Sequence, residues 1–361
     1  MASKKTIWFD TLTPKQTMLF IALAKIIQKY GFECHFTTRK HDYVHDIFRY
    51  NKIPFHSFGS FGGKTLEGKL LASAKRVVKL TEHITSLESK PIAAISFSSP
   101  DASRVAFGLG IPLILLNDTA HSVPVAKLTF SLARYLITPS CIKKDTFTKY
   151  GAKPNIIHTY EGVDEVEYIS GENYDKYLQL RKGISKEELI IVFRPEESFA
   201  SYMKNPERKL YLDILQEIID STNAEIYVFP RYPKQKETIL KHFKDKITIP
   251  KNGMYYLDLL SKAKVVITGG GTMGREAALL GIPSITYFWR HLEPQKFIEE
   301  KGFPSFSVQK KADIKKLVWK ICQNPERYTI DTTKKLQQIQ KPSDVLLPLL
   351  KNDPQLKKYF E

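Results

Sequence analysis

Three consecutive glycines, Gly269, Gly270 and Gly271, join an apolar run to a helix-forming run in KVVITGGGTMGREAALLGIP. Glycine has no Cβ, so such a turn lets the backbone approach a ligand closely and reach positive φ. A helix that begins at once adds unpaired N–H groups and a partial positive charge. This is chemistry for a diphosphate held by main chain, without a metal ion. Thr272 and Met273 offer main-chain N–H groups, and Glu276, read as lying in the first helical turn, is placed to accept hydrogen bonds from ribose hydroxyls. Two other readings stay open. Gly269, Gly271 and Gly274 match GxGxxG, but a dinucleotide fold puts that turn after its first strand and an acid about 20 residues on. This chain has Phe288-Trp289-Arg290 there, and little sheet follows. The turn can also be a tight bend with no ligand.

A second kind of chemistry needs a proton acceptor. Asp10, Asp118 and His121 each fall at the end of an apolar, strand-like run, and NDTAHSVP turns polar as soon as its strand stops. These are candidate general bases, with Asp118 and His121 ahead of Asp10. The plain alternatives are helix caps and turn closures for the aspartates, and a hydrogen-bonded structural imidazole for His121. His291, in the loop after Trp289, is a further candidate for ligand contact. His41 and His45 have helical ligand spacing in HDYVH, but no third ligand is marked nearby and a polar helix face accounts for them. Cys34, Cys141 and Cys322 are far apart and outside any CxxC pair, so neither a disulfide framework nor a thiolate zinc site is expected.

These residues need a frame, and the sequence supplies one. Short β-rich runs alternate with amphipathic helical runs, as in parallel sheets built from βαβ units. The first half reads as strand 6–10, helix from Pro14 to about Tyr30, strand 33–38, a basic helix over 65–86, and strands near 93–98, 113–117, 135–138 and 156–158. Residues 168–186 lack a strand pattern and read as a linker. The scheme then repeats with strands 189–194, 225–230, 247–249, 265–268 and 284–288. Two Rossmann-like α/β domains are expected, 1–167 and 187–340, with a helical tail over 341–361 packing back on the first. Ligands of such sheets sit beyond the carboxyl ends of the strands, so the cleft between the halves is the expected site.

The chain has 361 residues and carries 55 Lys plus Arg against 38 Asp plus Glu, a net charge of +17. That excess attracts phosphates of any kind, whether nucleotide, nucleic acid or anionic lipid. No recognised nucleic-acid module is present and the charges are dispersed, so nucleic acid is not the expected partner. The basic helix is read with Leu66, Leu70, Ala74, Val77, Val78 and Ile84 on an apolar face and Lys69, Lys75, Arg76 and Lys79 on the other. It either packs on the sheet or lies on an anionic membrane. No apolar run approaches the roughly 20 residues of a membrane span. The start, MASKKTIWFD, runs straight into a strand without room for a signal peptide, so cytoplasmic residence is expected.

The segments WFDTLTPKQTMLF, SPDASRVAFGLGIPLILLNDTAHSVPVAKLT, RPEESFASYM, FPRYPKQ and GGGTMGREAALLGIPSI together resemble the GT-B superfamily. That superfamily holds glycosyltransferases and non-hydrolysing UDP-N-acetylglucosamine 2-epimerases. More narrowly, the chain resembles a mainly archaeal family of uncharacterised predicted glycosyltransferases. The resemblance implies a nucleoside-diphosphate-sugar donor on the second domain, an acceptor on the first, and no cofactor or metal. Glu276 then stands for the acid that binds donor ribose, and Gly270, Gly271 and Thr272 for the phosphate turn. Arg194, Ser198 and Arg231 follow strands that approach the pyrophosphate, and Gln295 matches a glutamine aimed at sugar hydroxyls. The epimerases carry an Arg-x-Glu-Asn type loop and several first-domain acids with no clear counterpart here. Glycosyl transfer is the leading expectation. Epimerisation is the alternative, and a non-catalytic protein binding nucleic acid or anionic lipid is the second.

Overall fold

The computed structural model describes residues 5–41, 43–63, 65–119, 121–183, 188–197, 210–250, 256–288, 292–308 and 310–360. The chain divides into two compact units, Met1–Glu167 with Gln340–Glu361, and Tyr168–Ile339. The first holds strands β1 (Thr6–Thr11), β2 (Glu33–Lys40), β3 (His56–Ser60), β4 (Ala93–Ser96), β5 (Leu113–Leu116), β6 (Tyr135–Pro139) and β7 (Ile157–Tyr160). Their order is β3-β2-β1-β4-β5-β6-β7 and every pairing is parallel. AAIS of β4 and LILL of β5 are buried throughout, as strands covered on both faces must be. The edge strand β3, HSFGS, is largely exposed and lacks that apolar signature, so the sequence reading passed over it.

The second unit holds β8 (Ile190–Arg194), β9 (Glu225–Val228), β10 (Val265–Thr268), β11 (Ser284–Thr286) and β12 (Ser305–Ser307), in the order β12-β11-β10-β8-β9, again all parallel. The strand expected at 247–249 is reduced to one isolated bridge between Tyr227 and Thr248. The stretch read as a linker contains a helix, Glu172–Lys182, and belongs to this unit. Tyr168, Tyr174 and Tyr177 are buried there. The Tyr168 hydroxyl bonds Glu276 (2.7 Å) and that of Tyr174 lies 2.8 Å from Thr332 Oγ1. Tyrosines can bury their rings while satisfying their hydroxyls, which is why a polar-looking segment packs.

Residues 340–361 fold onto the first unit. The main-chain N–H of Ser343 donates to the buried Glu167 carboxylate (2.7 Å), and the hydroxyl of Tyr135 donates to Asp353 (2.8 Å).

The basic helix spans Leu66–Thr85, with Thr65 Oγ1 accepting from Gly68 N as its cap. Its inward face matches the expected one at Val77 and Ile84 and departs from it elsewhere. Arg76, Leu80 and Ile84 are buried, whereas Leu66 is 85% and Leu70 71% exposed, and Val78 is exposed too. Arg76 turns inward because Asp10 and Asp101 lie beneath it: its guanidinium pairs with Asp10 at 2.5 Å and Asp101 at 3.2 Å. Thr37 Oγ1 donates to Asp10 and accepts from the Trp8 indole, extending a buried polar chain across β1 and β2. His41 precedes the helix Val44–Tyr50 that carries His45, so the two histidines do not share a helical face.

Breaking this charge chain is costly because two buried carboxylates would lose the cation that hydrogen-bonds them, leaving Arg39 nearby as partial compensation. Arg76→Met is expected to lower unfolding free energy in urea by about 3 kcal/mol. A loss within about 0.5 kcal/mol, the range of an ordinary surface change, would show that the pair is not buried in solution.

Candidate functional site

In the second unit, the order β9-β8-β10 puts a topological switch between β8 and β10, where ligands of open parallel sheets bind beyond the strand ends. The glycine turn leaves β10 at that point. Its glycines serve close approach rather than left-handed backbone, since none of Gly269, Gly270 and Gly271 has positive φ. A Cβ on Gly269 would lie 2.5 Å from the Glu196 Cα, and one on Gly270 would lie 2.7 Å from the Arg231 guanidinium. A Cβ on Gly274 would lie 2.7 Å from Thr286 Oγ1, so that glycine seats the helix against β11. The helix runs Thr272–Leu279, with Gly271 as N-cap and no side-chain cap bond. Gly270, Gly271 and Thr272 are half-buried, and Met273 is buried. An uncapped helix start thus faces outward beside an arginine, an arrangement that suits an anion.

Arg231 is held over the turn by donating Nε to Pro195 O (3.0 Å), while its main-chain N–H donates to Gln235 Oε1 (2.8 Å). Arg194 ends β8 opposite Thr268, is buried, and reaches toward Phe229 O (3.4 Å). Glu276 lies one turn deeper than expected and is 1% exposed. Its Oε1 accepts from Tyr168 (2.7 Å) and Tyr256 (2.5 Å). Gln295 is buried in the helix Glu293–Glu300, and its amide donates to Ser305 Oγ of β12, so it braces the sheet edge. Ser198 and His291 lie outside the described residues. Glu196, missed in the sequence, accepts from the Tyr287 hydroxyl (3.0 Å), and burial holds its carboxyl above the usual range.

The first unit gathers a different set at its own strand ends. Lys15, in the first turn of the helix Pro14–Gln28, reaches Asp118 and Asp164 at 2.5 Å each and Glu165 at 3.8 Å. Its ammonium also sits 4.6 Å from the Phe97 ring centroid. Asp164 and Glu165 are 1% and 0% exposed, and Asp118 is half-buried. The Tyr160 hydroxyl donates to Asp164. Three carboxylates around one ammonium cannot all ionise cheaply. Asp164 is raised to about 6, first by burial and then by Asp118 and Glu165, against the pull of Lys15. Beside the cluster, Ser98, two residues past β4, has a positive φ of 51° and accepts from the Asn117 amide (2.9 Å). His121 is half-buried in the turn after Asp118. Asp10 is absent from this group, being sealed with Arg76. Lys15, Asp164 and Glu165 were missed in the sequence. A lysine in a first helical turn opposes the helix dipole and so calls for carboxylate partners, which was the available signal.

All-parallel sheets in two α/β units, each with polar residues gathered at the carboxyl ends of its strands, give the chain a fold of the GT-B type. The chain belongs to the family described as protein of unknown function DUF354, whose model matches residues 5–352. It is 31% identical over 301 residues, 82% of its length and 85% of the relative's, to the uncharacterized protein MJ0665 of Methanocaldococcus jannaschii. Among solved structures it is similar to the UDP-GlcNAc 2-epimerase of Neisseria meningitidis bound to UDP-GlcNAc (TM-score 0.70, 13% identity, 96% of this chain and 100% of that one). It is similar also to the M. jannaschii UDP-GlcNAc 2-epimerase in complex with UDP-GlcNAc and UDP (0.68, 18%, 92% and 98%). A third similar structure is TcCGT1 in complex with UDP (0.58, 11%, 99% and 98%). At these identities the likeness establishes the fold. Among the described residues no helix is long and apolar enough to cross a membrane.

Asp164 binds its proton more tightly in the folded chain, at about 6, than a free aspartate near 3.9. Its contribution to stability is therefore fullest below about pH 4 and is lost as pH rises toward 6. Asp164→Asn, which stays neutral, is expected to gain on the wild type by roughly 2 kcal/mol between pH 4 and 7 in urea unfolding. A pH-independent difference would mean that Asp164 titrates normally.

Proposed function

We propose that the chain is an enzyme acting on a nucleoside-diphosphate sugar, and that it transfers the sugar to an acceptor hydroxyl. The observation that carries this reading is the half-buried, uncapped helix start after Gly269–Gly271, at the β8/β10 switch with Arg231 above it. The acceptor oxygen attacks the anomeric carbon, the bond to the diphosphate breaks, and the diphosphate leaves with the electron pair. The helix terminus and Arg231 stabilise the charge that develops on it. Arg194, deeper at the end of β8, supports the same field. Glu276 receives ribose hydroxyls alongside the Tyr168 and Tyr256 hydroxyls that fix its Oε1. In the first unit Asp118 is the more accessible carboxylate of the lysine cluster and serves as the base for the acceptor proton. His121 stands near it in sequence as a second candidate, and Asp10 is set aside.

Epimerisation at the sugar's C2 is the second reading. It is favoured by Asp164, which holds a proton close to neutrality beside Lys15 and Asp118, as removal and return of a C2 proton requires. The two reactions share cleavage of the anomeric bond and differ in which proton moves.

A peripheral role at an anionic membrane is supported by the basic helix. Leu66 and Leu70 stand out of the fold, with Leu71 and Val78 also exposed and Lys75 and Lys79 beside them. That pairing of apolar and cationic groups complements an anionic bilayer surface and would bring a lipid-linked acceptor within reach.

A thermal-shift screen of UDP, GDP, CDP and dTDP is expected to single out one nucleotide, with affinity falling about tenfold in Arg231→Ala for loss of one charged hydrogen bond. No stabilisation by any of them would defeat nucleotide binding. With the matching sugar nucleotide, Asp118→Asn should lose about 100-fold or more in turnover while still binding nucleotide. C2 interconversion without an acceptor would replace transfer by epimerisation. Sedimentation with phosphatidylserine vesicles at low salt is expected for the wild type and lost in Leu66→Glu/Leu70→Glu; equal sedimentation of both would remove the helix from that role.

A further inference from the structure

Away from the proposed active site, three histidines converge that the reactions above do not use. His35 lies near the start of β2, His56 opens β3, and His83 lies in the last turn of the helix Leu66–Thr85. In the parallel register Thr37 is paired with His56, so His35, two residues before Thr37, faces the same side of the sheet. The helix Leu66–Thr85 covers that side: Arg76, Leu80 and His83 follow at helical spacing, and Arg76 and Leu80 are buried. Two strands and a helix, distant in sequence, thus each contribute one imidazole.

We propose that His35, His56 and His83 form a binding site for a divalent transition-metal cation of the zinc type. One ring nitrogen from each lies within 4.8 Å of the other two, and the Nε2 atoms of His35 and His83 are 2.8 Å apart. Tetrahedral zinc with bonds near 2.0–2.1 Å needs nitrogens about 3.3 Å apart. Small side-chain rotations that open the shortest separation and close the longest reach that geometry. The ring centroids are 5.0, 5.0 and 4.3 Å apart, so no other side chain stands between them. Three neutral nitrogen ligands suit zinc, nickel, copper or cobalt and not magnesium or calcium, which take oxygen.

His56 is exposed while His35 and His83 are half-buried, so the site opens to solvent on one side and leaves water the fourth position. The site is at the amino ends of the strands, the opposite edge from Lys15 and Asp118. A cation there would clamp the exposed edge strand β3 to β2 and the helix, and its role is stabilising and not catalytic. The competing account is a stack of imidazoles joined by a single hydrogen bond between His35 and His83.

Chelator-stripped full-length protein titrated with zinc chloride by calorimetry, and with cobalt(II) by visible absorption, distinguishes the two. The expected result is one equivalent of zinc bound, and cobalt bands of tetrahedral intensity. Removing a group that only hydrogen-bonds a metal ligand already costs about 10–100-fold in metal affinity, so loss of a ligand itself in His56→Ala should weaken zinc binding by about 100-fold or more. The exposed position of His56 leaves the fold intact in that variant, as circular dichroism would verify. His83→Gln should reproduce the loss and abolish the cobalt bands. Absence of zinc binding by the wild type, or equal affinity in wild type and His56→Ala, would overturn the assignment.

Discussion

Every strand in each sheet runs the same way, and that one constraint organises the chemistry of the chain. A parallel strand must be followed by a crossover that returns to the same edge, so all strand-to-helix turns of a unit collect at one end. In the first unit this brings the turn after β1, with Lys15, to the turns after β5 and β7, with Asp118 and Asp164. In the second it brings the glycine turn after β10 to Arg231 after β9 and Glu196 after β8. The amino ends of the strands collect in the same way at the other edge, where His35 and His56 meet the end of a helix.

Within that frame, buried charge determines which side chains pair. Asp10 and Asp118 both follow apolar strands in the sequence, and both read as candidate bases. Asp10 is 1% exposed and neutralised by Arg76, so it spends its charge holding a helix to the sheet. Asp118 shares one ammonium with two fully buried carboxylates, an arrangement with more negative charge than its cation can balance. Asp10 and Asp101 face two arginines, Arg76 bonded to both and Arg39 close by, and such a balanced group favours one conformation, whereas an unbalanced cluster favours proton exchange near neutral pH. Glu276 shows the same logic with neutral donors: two tyrosine hydroxyls fix one of its oxygens against the turn helix.

The alternation of strand and helix was legible along nearly the whole chain, because strands buried on both faces are written as short apolar runs such as LILL and VVIT. Less legible were β3 and β12, whose exposed or short segments carry no such signature, and the helix at 172–182, whose buried residues are tyrosines. The basic helix misled for a related reason. Periodicity shows that a helix has two faces, but a buried arginine and exposed leucines rotate the inward face, with Val77 and Ile84 still on it.

The sequence by itself determined the fold class and the position of the glycine turn, since each depends on contacts between chain neighbours: close backbone approach and strand burial. Only the tertiary structure decided that Lys15 meets Asp118, Asp164 and Glu165, that Asp10 is spent on Arg76, that Gln295 braces β12, and that three scattered histidines converge. Those outcomes depend on distance in space between segments up to about 150 residues apart, set by crossover topology, and no local pattern encodes a partner that far along the chain.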